Sequence, residues 1–330
     1  MKSCKNFLKA ALLLVAGLGL SYSTLAQTAG QSTFATPEEA IKALSGAVQS
    51  KDRASLEKIF GSDYSELLSG DEVEDTNDLD NFASSLREFA QLDKVDDSKY
   101  TVAAGQDKWP TPIPIVQKDG KWFFDTKAGL EEVMNRRVGE NELSAISTVR
   151  AYAVAQWEYF TESDWDHDAV AEYAQKLISL PGKHDGLYWE TAEDSTPSPL
   201  GSLVAAARAE GYGPKTQTPD AAGKGGAAKD ETDNRERAPY HGYYFKILTR
   251  QGAHAPGGKY NYVINGNMIA GYAMVAYPAR WGNSGVMTFV INQQGRVYQK
   301  NLGPNTDKLA AAMTEYNPDI TWKLVDADTN

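Results

Sequence analysis

Twice along this 330-residue chain the spacing of apolar side chains changes from steps of three and four to alternation, and any fold must accommodate both changes. The first change falls between residues 92 and 100. Before it, Thr36-Pro37-Glu38-Glu39 supplies a capping residue, a proline suited to the first helical position and the glutamate of a capping box, and Ile41, Leu44 and Val48 follow at helical spacing. Arg53–Phe60 reads as a short second helix stopped by Gly61, Asp71–Asp80 as an acidic loop, and Phe82, Leu86, Phe89 and Leu92 as the apolar face of a third helix. After it, residues 100–103, 113–116 and 122–124 read as strands, and Asp119-Gly120 is a two-residue hairpin signal. Pro110, Pro112 and Pro114 restrict the middle strand to a sheet edge or to its own beginning.

The second change repeats the order. The chain turns helical from Ala128, and Glu142–Phe160 predicts a long helix whose stripe of Ile146, Val149, Tyr152, Ala153, Gln156, Trp157 and Phe160 packs against a sheet. Residues 242–248, 260–264, 268–277, 286–291 and 297–299 read as short strands separated by Gly, Asn and Pro, with Asn292–Gly295 as a turn. Helices grouped ahead of an antiparallel sheet predict the α+β class. The expected units are residues 27–135, helices with a small antiparallel sheet similar to the nuclear-transport-factor-like cone, and residues 136–330, a long helix packed on an antiparallel β-meander. Residues 213–239 hold five basic and five acidic residues, three prolines and almost nothing large and apolar, which predicts a flexible insertion.

Residues 1–26 predict a cleavable signal peptide: Lys2, Lys5 and Lys9 precede an apolar run, Ala10–Leu20, and Thr24-Leu25-Ala26 offers small residues at the positions a signal peptidase reads. The run is shorter than the roughly 20 residues that span a bilayer, so no transmembrane anchor is expected after cleavage. The expected location is periplasmic or secreted. Cys4, the only cysteine, leaves with the leader, which excludes disulfides, thiolate metal sites and cysteine nucleophiles from the mature chain. Of 33 basic and 44 acidic residues, the leader removes three lysines, so the remainder is strongly acidic. Such a surface repels nucleic acid and anionic lipid, and no nucleic-acid partner is expected.

Trp122–Gly129, Glu131-Glu132, Arg136–Glu142, Ala155-Gln156, Glu172–Gln175, Asp185–Trp189, Ser198–Gly201 and His241–Tyr244 together resemble the bacterial exported domain-of-unknown-function family 2950, a likeness running from about Phe34 to Val325. The resemblance implies export and assigns no reaction. More loosely, the helix carrying Ala155-Gln156 and the stretches Gly271–Pro278 and Gly285–Gly295 are similar to the head of type IV pilins and pseudopilins, without the apolar first half of a pilin helix.

Candidate sites are few. Asp164, Asp166 and Asp168 alternate with Glu172 close behind, an oxygen-ligand spacing that suits calcium; but Ala169 stands where an EF-hand loop needs glycine and Gln175 where a bidentate glutamate belongs. A solvated acidic loop is favoured over a calcium site, and no other cofactor is called for. His167, His184, His241 and His254 lack the spacing of a zinc hydrolase motif, and no nucleophile elbow or phosphate loop is present. Arg136, Arg137, Asn141 and Glu142, downstream of Asp125, predict either an ion-pair lock between the two halves or a corner that binds an anion, and the lock is favoured because it needs no ligand. The many aromatics, Trp157, Tyr188, Trp189, Tyr243, Tyr244, Tyr272, Tyr277 and Trp281, are assigned mostly to the core, while a surface cluster of them would suit a glycan or peptide. The reading favours a non-enzymatic protein that binds an envelope protein, peptide or glycan or assists envelope assembly. The alternative is a hydrolase acting on envelope material through scattered carboxylates.

Overall fold

The computed structural model describes residues 28, 30–162, 170–191, 197–212 and 239–326. The signal peptide, Asp164, Asp166, His167 and Asp168, and all but the last residue of the 213–239 insertion lie outside the described residues.

Helix α1 (Pro37–Gln49) starts where the capping pattern places it: Thr36 Oγ1 accepts from Glu39 N at 3.2 Å, and the Glu39 carboxylate accepts from Ala35 N at 3.0 Å. Helix α2 (Arg53–Phe60) is capped by Asp52 and stops at Gly61, whose φ of 76° lies in the region glycine favours. A 3-10 turn (Gly61–Asp63) and the short α3 (Tyr64–Leu67) follow. The predicted acidic loop 71–80 is instead the first half of α4 (Glu72–Glu88). Asp71 caps it through hydrogen bonds from Val73 N (3.0 Å) and Glu74 N (3.2 Å), and Glu72, Glu74 and Asp75 sit in the first turn, where the helix dipole favours negative charge. That helix ends four residues before Leu92, because Phe89 is extended and opens β1 (Ala90–Asp96). Strand β1 escaped the sequence reading because nearly all of its residues are exposed, as befits a charged sheet edge.

The first sheet runs in the order β1, β2 (Lys99–Ala104), β4 (Ile115–Lys118), β5 (Lys121–Phe124), with β3 (Trp109–Pro110) also paired to β2. Pro114 immediately precedes β4, an interior strand, so the proline restriction resolves to a strand beginning. Asp119 and Gly120 both have positive φ, the requirement of the tight hairpin joining β4 to β5. Leu44, Val48, Leu56, Ile59, Leu86, Val102, Ile115 and Phe124 meet between these helices and this sheet as one core.

The two predicted segments of helix after residue 125 are one unbroken helix, α5 (Thr126–Thr161), of 36 residues; the expected boundary between residues 135 and 136 falls inside it. Its carboxyl-terminal half packs Ala145, Ile146, Val149, Tyr152, Ala155 and Tyr159 into a second core. Gln156 is fully buried on this face, whereas Trp157, assigned by its spacing to the same stripe, is 59% exposed. The second core lies on a sheet of order β14 (Lys323–Leu324), β13 (Tyr298–Lys300), β12 (Thr288–Asn292), β11 (Ala273–Pro278), β6 (Tyr243–Leu248), every pair antiparallel. Two small ribbons, β7 (Arg250–Gln251) with β8 (Tyr260–Asn261) and β9 (Val263–Ile264) with β10 (Asn267–Met268), flank it. Helices α6 (Gly201–Ala209) and α7 (Thr306–Ala311) complete an α+β protein.

Candidate functional site

The residues predicted to lock the two halves do meet other parts of the chain, but mostly through neutral groups. Asp125 is the cap of α5: its Oδ1 accepts from Ala128 N at 3.2 Å, and the side chain is buried. Gly129 lets the first turns of α5 press on the preceding loop, since a Cβ there would lie 2.6 Å from Pro112 O and 2.7 Å from Ile113 Cα. Arg136 points outward and pairs with Glu132 at 2.8 Å, one turn back, so it takes no part in the junction.

Arg137 is different. It is 7% exposed, donates from Nη2 to Leu67 O and from Nη1 to Asn283 Oδ1 at 3.3 Å, and thereby ties α3 to the loop before β12. Its hydrogen-bond partners among the described residues carry no charge, and its buried Nε–H has no partner among them. Asn141, 2% exposed, donates to Ser284 O at 3.1 Å. Glu142 Oε1 accepts from both Val286 N and Met287 N at 2.9 Å, which fixes the entry to β12. Gly242, with φ of 67°, closes the knot: a Cβ there would stand 2.6 Å from Asn141 Nδ2 and 2.8 Å from Ser284 Cβ. The predicted ion-pair network is therefore a hydrogen-bonded clamp among Arg137, Asn141, Glu142 and the 283–287 backbone. Two segments quoted for the family resemblance, 136–142 and 241–244, come together in it.

The sequence reading missed Asp71, Tyr212, Asn283 and Ser284. Asp71, 2% exposed, caps α4 with Oδ1 and with Oδ2 accepts from Tyr212 Oη at 3.0 Å and from Gly242 N at 3.4 Å. Ser284 Oγ donates to Gly242 O at 2.9 Å. Asp71 followed by Glu74 has the spacing of a helix cap, a signal present in the sequence and hidden by its acidic surroundings.

Two hollows adjoin the clamp. The first, of about 410 Å³, indents the first core and is lined mainly by Leu44, Val48, Leu56, Phe60, Leu67, Leu79, Phe82, Ile113, Phe124 and Val133, with Lys51, Arg53, Asp75, Asp78 and Arg137 as its charged groups. Asp75 Oδ1 is already bonded to Ser69 N at 2.7 Å. The second, a cleft of about 490 Å³, is lined by Glu74, Asn77, Asp78, Asp80, Asn81, Glu140, Asn141, Ser144, Glu210, Tyr212 and His241. Burial, with the charges of Asp78 and Asp71 behind it, pushes the Glu74 carboxyl up to about 7. Asp78, open to cleft water yet enclosed by protein on most sides, is pushed up to about 6 by desolvation first and by Glu140 second, with Arg137 opposing. Burial first and Asp71 second raise the Tyr212 phenol well above its usual range. His241 Nε2 lies 3.0 Å from Glu210 Oε2.

Of the calcium candidates, Asp164, Asp166 and Asp168 lie outside the described residues, and Glu172 Oε2 accepts from Met268 N at 3.0 Å. His184 stacks on Trp189, and His254 N donates to Asn317 Oδ1 at 2.8 Å, so these two sit in separate places from His241. Among the described residues no cluster of three His, Cys, Asp or Glu could hold a metal ion, and no helix is long and apolar enough to cross a membrane. Of the eight singled-out aromatics, Trp189, Tyr243, Tyr272 and Tyr277 are buried in the core, Tyr188 and Tyr244 pack partly buried against it, and Trp157 and Trp281 are exposed.

The architecture is thus an α+β protein with a mainly apolar cavity beside a hydrogen-bonded clamp. The family described as "protein of unknown function (DUF2950)" matches residues 31–325, and the chain belongs to that family. No curated protein and no solved structure matches the chain.

Proposed function

We propose that the protein is an exported, non-enzymatic binding protein of the cell envelope that holds a small apolar molecule in the cavity of its first core. The observation that carries this reading is the cavity itself. Its volume, about 410 Å³, falls in the roughly 300–1,000 Å³ range of small-molecule pockets, and its lining is mainly apolar with a minority of polar groups, the usual make-up of such sites. Export rests on the make-up of residues 1–26. The test is binding of the uncharged dye N-phenyl-1-naphthylamine to the purified protein, with Leu79→Trp as the variant that fills the cavity. Saturable fluorescence enhancement lost in Leu79→Trp supports the proposal, and enhancement that is absent or unchanged by the substitution removes it. Fractionation of the native host, with the mature chain starting at Gln27 outside the cytoplasm, tests the location.

The hydrolase reading keeps one specific observation in its favour: Glu74 and Asp78, one turn apart on α4, share a cleft that raises both carboxyls toward neutrality, as general acids require. Turnover of envelope glycan or peptide that vanished in a folded Glu74→Gln variant would establish it over the binding reading.

A further inference from the structure

We infer that the cavity takes a single-chain amphiphile ending in a carboxylate, with the apolar chain along the Leu44, Leu56, Phe82 and Val133 wall and the head group at Arg137. The inference rests on the cavity reading and adds the ligand's chemistry. Arg137 is more than nine-tenths buried, its described partners are a carbonyl and an amide oxygen, and its Nε–H is unpartnered. A buried guanidinium hydrogen-bonded only to neutral oxygens, with Asp78 and Glu74 acting on it through charge but not bonded to it, keeps part of a desolvation penalty that an anion in contact would relieve. Among the described residues that line the cavity, this N–H is the one buried side-chain polar atom with no partner, so the unmet demand is for a hydrogen-bond acceptor. The lining also carries Asp75 and Asp78, and two exposed cations, Lys51, already paired with Asp80 at 2.7 Å, and Arg53. Two acidic neighbours oppose a doubly charged head such as a phosphate monoester more than a singly charged carboxylate. A cationic head finds Asp75 engaged with Ser69 N and Asp78 shared with the neighbouring acidic cleft.

The experiment displaces the naphthylamine dye from the purified full protein at pH 8 with three probes of equal chain length: dodecanoate, dodecanol and dodecylamine. The expected result is displacement by dodecanoate at a concentration at least about tenfold below that of the other two, the size of effect a charge-assisted hydrogen bond provides. Arg137→Gln should erase the preference, and in Leu79→Trp, which leaves the guanidinium untouched but no longer takes the dye, direct titration calorimetry should find all three probes weakened. Should Arg137→Gln fail to fold, the probe series on the wild-type protein and on Leu79→Trp still decides. Equal displacement by dodecanoate and dodecanol overturns the head-group assignment and leaves the apolar cavity standing. Tighter dodecylamine assigns the head-group role to the aspartates and overturns it as well. A preference for dodecanoate that survives in folded Arg137→Gln removes Arg137 from the site. A dye that does not bind at all ends the underlying cavity reading.

Discussion

Tyr212 donates its phenolic hydrogen to Asp71 Oδ2 at 3.0 Å, joining residues 141 positions apart in the chain. The same carboxylate caps α4 through its other oxygen, so one side chain starts a helix of the first half and anchors the segment that leads into β6 of the second.

Removing Asp71 should therefore cost both functions. Asp71→Ala loses a helix cap, about 1 kcal/mol, and strands a buried hydroxyl and a backbone N–H, roughly 1–3 kcal/mol more. A loss of about 2–4 kcal/mol in urea denaturation is expected, against about 1 kcal/mol for Tyr212→Phe. A double-mutant cycle should show coupling between the two, and strict additivity would mean the bond contributes nothing.

The acidic cleft predicts a pH dependence. Glu74 and Asp78 are pushed up to about 7 and about 6 in the folded protein, above the ordinary carboxyl values of 4.5 and 3.8. A carboxyl whose value rises on folding holds its proton in the native state after the unfolded chain has released it, so stability falls as pH climbs from about 4 to about 7 and levels off beyond. Glu74→Gln should flatten that fall. At pH 8 it should raise stability by about 1–2 kcal/mol, less than the full shift implies because the cleft is open to solvent. Denaturation midpoints at pH 5 and pH 8 check both signs.

Gln156 acts as a piece of sheet. Its amide donates to Ala174 O and accepts from Ala174 N, both at 2.8 Å, and also donates to Tyr152 Oη at 3.0 Å, all fully buried. Gln156→Met keeps the volume and abandons two backbone groups, so a loss of about 2–4 kcal/mol is expected in denaturant titration. A loss below about 0.5 kcal/mol would show that the loop around Ala174 finds other partners.

Gly129→Ala places a methyl group against backbone atoms that have no flexible end to yield. A loss of about 2–3 kcal/mol is expected by the same measurement, whereas Gly139→Ala, with open space around its position, should stabilise by a few tenths to about 1 kcal/mol through helix propensity.

What could be read in advance followed from local chemistry. The Thr36 cap, the Gly61 stop and the Asp119-Gly120 hairpin are each written in a few adjacent residues, and each stands where those residues put it. Helix α4 was misread because its opening looks like loop composition; the side chain of Asp71 and the helix dipole convert that acidity into a helix start. Strand β1 has no apolar face to announce it. For the site, Arg137, Asn141 and Glu142 were found by their clustering, and Asp125 by its place upstream. Their partners were not, because Leu67 O, Ser284 O and the 286–287 amides are backbone groups brought in by tertiary folding, which no side-chain spacing encodes.

At about 1.5 Å per residue, the 36 residues of α5 extend about 54 Å without interruption. Its first half seals one core and its second half seals the other, so scission anywhere near its middle would fray a stretch that both need. Neither half should survive as a separately produced fragment cut at residue 135, and the two would be inherited, expressed and degraded as one piece.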